Sequence, residues 1–123
     1  MATLNDRVFD NGLSVLDTEA NRIDVTSQEA TTYAEATSTY TLGNSTSLSI
    51  SAPADRTGGG RKVTVAAITD GSISATGTAT HYAIVDTSNS RLLATGTLTA
   101  SQSVTSGNTF TLATFDIGIP DPS

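Results

Sequence analysis

Apolar and polar residues alternate through residues 61–120. The clearest run is 62–69, KVTVAAIT, where Val63, Val65 and Ala67 share one side and Thr64, Ala66 and Ile68 the other. Side chains of a strand point alternately to the two faces of a sheet, so this run predicts a strand. Asp70-Gly71 follows, a dipeptide suited to a two-residue hairpin turn. It predicts a return strand over 72–79, with Ile73, Ala75, Gly77 and Ala79 in phase. Further strands are predicted at 81–85 and 91–98, joined by a turn over 87–90, and at 109–119 after a polar loop over 100–108. In the last run Phe110 and Leu112 keep one parity while Ala113, Phe115, Ile117 and Ile119 keep the other, which predicts a bulge near 112–113. Pro120 and Pro122 end it.

Upstream, Phe9, Leu13, Leu16 and Ala20 recur at helical spacing, and Asp6 is placed to cap a helix. Asn11-Gly12 interrupts this stretch, so residues 5–20 read as a short helix, with a hairpin at Asn11-Gly12 as the alternative. Residues 22–26 alternate as a strand. Residues 27–42 hold a single helical turn near 33–36 or an ordered loop, then a strand over 39–42. A turn is expected at 43–46 and a strand carrying Leu48, Ile50 and Ala52. Pro53 and Gly58-Gly59-Gly60 mark 53–62 as a flexible loop, and it gathers Arg56, Arg61 and Lys62, half of the six basic residues.

Short strands with turn signals between them predict an all-β fold, an antiparallel β-sandwich of jelly-roll or immunoglobulin-like type. Residues 1–20 form its short N-terminal helix or extended arm, and 21–123 the sandwich domain. Leu, Ile, Val and Phe together number 26 of 123 residues, while Ser and Thr number 38, so the core is thin. A domain of this kind gains stability from assembly with copies of itself or with a partner.

The formal net charge is −6, with one lysine. That opposes binding to nucleic acid, which needs basic surface, and to anionic membranes. No apolar run approaches a membrane-spanning length, and no signal peptide is read at the N-terminus. There is no cysteine, so disulfides, thiolate metal sites and cysteine nucleophiles are excluded.

The candidate chemistry is sparse. His81 is the only histidine, and no G-x-S-x-G elbow supplies a serine nucleophile. Residues 58–62 fail the phosphate-loop pattern because Val63 follows Lys62. Asn44-Ser45-Thr46 matches a glycosylation sequon, read as chance without a secretory signal. A glycoside hydrolase would need paired carboxylates, for which Asp86, Asp116 and Glu35 are the candidates, but tryptophan is absent and only three tyrosines are available as sugar platforms. The residues assign no catalytic, cofactor or metal site.

Five phrases resemble those of a family. They are SQEATTYAEA (27–36), GRKVTVAAI (60–68), THYAIVD (80–86), RLLATG (91–96) and FDIGIPDP (115–122). Together they look like a group of small β-sandwich structural proteins of tailed bacteriophages and prophages. The resemblance implies a virion structural protein, not an enzyme, made in the host cytoplasm and carried on the particle. The expected form is a capsid decoration (cement) protein that binds the major capsid protein as a homo-oligomer, for instance a trimer. The alternative is a tail, fibre or baseplate module with tail or fibre proteins as partners. The expected interface residues are Leu4, Val8, Phe9 and Leu13 of the amphipathic N-terminal segment, and Arg56, Arg61 and Lys62 of the basic loop.

Overall fold

The structure is a computed structural model that describes the backbone of residues 6–119 and the side chains of all of these but 6–10 and 99. The fold is of the expected class, antiparallel β with one short helix ahead of the strands. The elements are α1 (Asp6–Glu19), β1 (Arg22–Thr26), a π-helical turn (Glu35–Thr39), β2 (Thr41–Ser45), β3 (Ala54–Asp55), β4 (Arg61–Val65), β5 (Ile68–Ile73), β6 (Gly77–Asp86), β7 (Arg91–Val104), β8 (Thr109–Leu112) and β9 (Phe115–Ile119). They build the two antiparallel sheets that a β-sandwich requires, one of six strands in the order β7-β6-β1-β2-β5-β8 and one of three in the order β3-β4-β9. The chain divides into two compact units: α1 with Ser49–Ala67 and β9, and Ala20–Leu48 with Ile68–Leu112.

In the six-stranded unit β1 is central and buried on both faces. Ile23 and Val25 are 0% and 1% exposed, and Ile23 lies opposite Ile84 of β6. The other face of β1 carries Asp24, also 0% exposed, whose carboxylate takes a forked pair of hydrogen bonds from Arg22 Nε (2.7 Å) and Nη2 (2.9 Å) and a third from Thr41 Oγ1 (2.6 Å). A buried carboxylate needs such partners. Burial still outweighs them and raises the Asp24 pKa above the ordinary carboxylate value, while the Asp24 hydrogen bond raises that of Arg22. Residues 27–40 pack Ala30 and Ala36 against Ala83 and Val85 of β6 in a second apolar cluster, flanked by Tyr33, Tyr40 and Leu92.

In the other unit α1 packs on β4. Its buried stripe is Leu13 and Leu16, and the β4 side chains are Val63 and Val65, both 0% exposed. Fully burying side chains of this size contributes about 1.5–3 kcal/mol each. The helix spans Asn11-Gly12 without a turn, so the helical reading of 5–20 holds.

Several local expectations are corrected. Asp70-Gly71 makes no hairpin and lies inside β5. Gly71 pairs with Phe110 of β8, and a Cβ on it would overlap the Phe110 ring, so the glycine answers to packing. Asp70 accepts from Ser45 Oγ (3.1 Å) and Ser47 Oγ (2.7 Å). Gly43 and Asn44 sit within β2, not in a turn, and a Cβ on Gly43 would collide with the Ser72 carbonyl. The expected strand at 48–52 reduces to one bridge, Ile50 to Val65. The run 72–79 is split between β5 and β6, and the Leu42 carbonyl takes the amides of Ser74 (2.8 Å) and Ala75 (3.1 Å) at the break. The loop at 100–108 starts only after Val104, since β7 continues through the Ser/Thr stretch. No bulge keeps both parities of 109–119 buried: β8 belongs to the six-stranded sheet, β9 to the three-stranded one, and Ile119 is 38% exposed.

Candidate interaction surface

The basic segment is an ordered β-hairpin, not a flexible loop. Pro53 precedes the two-residue strand β3, whose Ala54 and Asp55 pair with Lys62 and Arg61 of β4. The chain reverses through Gly58, Gly59 and Gly60, all with positive φ (90°, 104° and 90°), which a side chain would strain. The reversal is closed by Arg56 N donating to Gly60 O (3.2 Å) and Gly59 N to Arg56 O (3.1 Å). The Arg56 side chain is held in turn, its Nη1 donating to Gly59 O at 3.0 Å.

Register with β9 completes the surface. Thr64 lies opposite Asp116 and Lys62 opposite Gly118. Lys62 Nζ donates to Asp116 Oδ2 (2.9 Å) and Thr64 Oγ1 to Asp116 Oδ1 (2.7 Å). Lys62, aided by Thr64, holds the Asp116 carboxyl below the usual carboxylate range. Arg61 Nη1 donates to Asp55 Oδ1 at 2.7 Å. Arg56, Thr57, Lys62, Asp116 and Gly118 line an open cleft of about 370 Å³. Gly118 gives Arg56 its room, because a Cβ there would press on Arg56 Cδ and Nε at 3.0 and 3.1 Å.

Of the residues expected at an interface, Arg56, Arg61 and Lys62 therefore share one hairpin. Leu13 is 2% exposed and spends its side chain inside its own unit. Leu4 and the side chains of Val8 and Phe9 lie outside the described residues. The sequence carried no sign of Asp116 and Gly118 in this site, since both reach it through β4–β9 pairing.

Other polar groups close on their neighbours. Thr80 Oγ1 donates to Ser27 O (2.9 Å) and lies 2.8 Å from His81 Nδ1. Asp86 caps the β6–β7 turn, accepting from Ser88 N (3.0 Å) and Asn89 Nδ2 (2.8 Å). Glu35 accepts from Thr31 N (2.8 Å) and Thr31 Oγ1 (2.7 Å). Asn89 chiefly, for Asp86, and Thr31, for Glu35, hold these carboxyls below the usual range. A general acid needs a raised pKa, so Asp86, Asp116 and Glu35 are tuned to stay ionised. Among the described residues, no three His, Asp or Glu side chains converge as metal ligands.

No family model, curated protein or solved structure matches this chain.

Proposed function

We propose that the chain is a structural protein of a tailed-phage particle, a decoration protein bound to the major capsid protein. The five phrases at 27–36, 60–68, 80–86, 91–96 and 115–122 support the family reading. The observation that carries the mode of action is the β3–β4 hairpin. In a chain of net charge −6 it gathers three of six basic residues, fixed by their own carboxylate and carbonyl partners. Side chains already held in place lose little rotamer freedom on docking. The surface suits an acidic patch on a capsid subunit, and occupancy of many identical sites stabilises the lattice by mass action.

Co-sedimentation with particles carrying the cognate capsid lattice tests this reading. Binding weakens several-fold between about 50 and about 500 mM NaCl, because exposed charge contacts are screened. Arg56→Glu weakens it further at low salt and leaves the circular dichroism spectrum unchanged. Binding that ignores both salt and Arg56→Glu would refute the hairpin's role. A tail or fibre protein would sediment with tails and not with tail-less capsids.

A further inference from the structure

We infer, on the reading of the hairpin as a docking surface, that the Arg56 cleft receives one carboxylate side chain of the partner protein, gripped by an open edge of the Arg56 guanidinium. Among the described residues the Arg56 side chain makes one hydrogen bond, from Nη1 to Gly59 O at 3.0 Å. That bond fixes the guanidinium and leaves its Nε–Nη2 edge open. The same edge of Arg22 clasps both oxygens of Asp24, at 2.7 and 2.9 Å, so the chain itself shows what such a fork holds. The carboxylates around Arg56 are engaged elsewhere. Asp116 Oδ1 accepts from Thr64 and Oδ2 from Lys62, and Asp55 Oδ1 accepts from Arg61.

The walls of the cleft set the class of ligand. Arg56, Thr57, Lys62, Asp116 and Gly118 include no apolar side chain. Pockets for small organic ligands are mostly apolar, so an open polar cleft suits a side chain carried in on another surface. The charged walls are two cations and one carboxylate, a net charge of +1. One carboxylate neutralises it. A phosphate monoester brings about −1.5 to −2 and would crowd Asp116 with excess negative charge. Lys62 supports the same ligand, since its ammonium has three protons and directs one of them to Asp116 Oδ2.

Gly118 keeps the fork accessible. It lies opposite Lys62 in the β4–β9 register, and a Cβ on it would stand 3.0 Å from Arg56 Cδ and 3.1 Å from Nε. A methyl group there displaces the guanidinium and crowds Nε, one of the two fork donors, with no change of charge. The φ of Gly118 is not positive, so alanine meets no backbone objection. Replacing Arg56 by lysine also keeps the charge and removes the fork, since an ammonium offers no planar pair of donors. Both variants therefore separate a fork from a merely positive patch.

Arginine side-chain NMR of the full chain at low ionic strength is the test, following the Arg56 Nε–H signal. The probes are acetyl-glutamate amide, its uncharged glutamine counterpart and inorganic phosphate. The glutamate probe shifts the signal saturably, with a Kd on the order of 1–10 mM, and the glutamine probe does not. Phosphate binds more weakly than the glutamate probe. Gly118→Ala weakens glutamate binding about fivefold or more. If Gly118→Ala does not fold, Arg56→Lys replaces it in the particle assay above, where it weakens co-sedimentation nearly as much as Arg56→Glu. Arg56→Lys binding particles as the parent does, while Arg56→Glu does not, overturns the fork and leaves the hairpin as a charged docking surface. Probe binding without particle binding refutes the capsid reading and supports the carboxylate fork. No saturable shift, tighter binding of phosphate than of the glutamate probe, or Gly118→Ala binding as the parent does each overturn the inference.

Discussion

Replacing Gly71 by alanine tests the packing logic of the six-stranded sheet. Gly71 sits in β5 opposite Phe110, which is 4% exposed, and an added Cβ would occupy space filled by the Phe110 ring. Its φ is not positive, unlike that of Gly58, Gly59, Gly60 and Gly107, so alanine meets no backbone objection there. Alanine for glycine in a strand gains about 0.5–1 kcal/mol in backbone entropy. Overpacking a buried ring costs about 1–3 kcal/mol. The net expectation for Gly71→Ala is a loss of about 1–2 kcal/mol, read as a lower urea midpoint at unchanged slope. Phe110→Leu alone also destabilises, because it removes ring contacts. In the double variant the smaller side chain makes room for the methyl group, and the two costs fall short of additive by about 1 kcal/mol or more. Were Asp70-Gly71 a hairpin turn, the cost of Gly71→Ala would not depend on residue 110. Additive costs would thus refute the placement of Gly71 against Phe110.

Three further outcomes are expected. Asp24→Asn leaves the Arg22 guanidinium without its forked partner in a site where the carboxylate was fully buried, and costs about 2–4 kcal/mol in urea unfolding. Gly59→Ala forces a side chain onto a φ of 104°, costs about 1–3 kcal/mol and disorders the hairpin, seen as faster amide exchange at 56–62. Melting temperature against pH shows an acid limb: Glu35, Asp70, Asp86 and Asp116 all titrate lower folded than unfolded, so their stabilisation is complete above about pH 4–4.5 and is lost as pH falls through their folded values. Asp24, raised by burial, contributes with the opposite sign, since its stability term declines as pH rises from about 4 through its folded value. Asp24→Asn therefore removes a downward slope just above pH 4, and a flat profile below pH 4 in the parent would contradict the carboxylate geometry.

The readable parts of this sequence were those where local pattern and long-range packing agree. Residues 22–26 alternate, and β1 has those bounds because both faces of that strand are covered. Phe9, Leu13 and Leu16 repeat at helical spacing, and α1 forms across Asn11-Gly12 because Leu13 and Leu16 gain burial that exceeds the cost of one glycine. Two of the misreadings fall at glycines. Gly43 and Gly71 look like turn residues, yet each is dictated by a neighbour on another strand, the Ser72 carbonyl and the Phe110 ring, that no local window contains. Within the interaction surface, Arg56, Arg61 and Lys62 were visible because they lie together in the chain. Asp116, 54 residues from Lys62, and Gly118 were not, because only the β4–β9 register brings them there.

The central claim is most directly tested by the number of copies of this chain in purified phage particles, measured by quantitative mass spectrometry against the major capsid protein. The account predicts one copy per one to a few capsid subunits. One copy per several dozen subunits, or none, would contradict it.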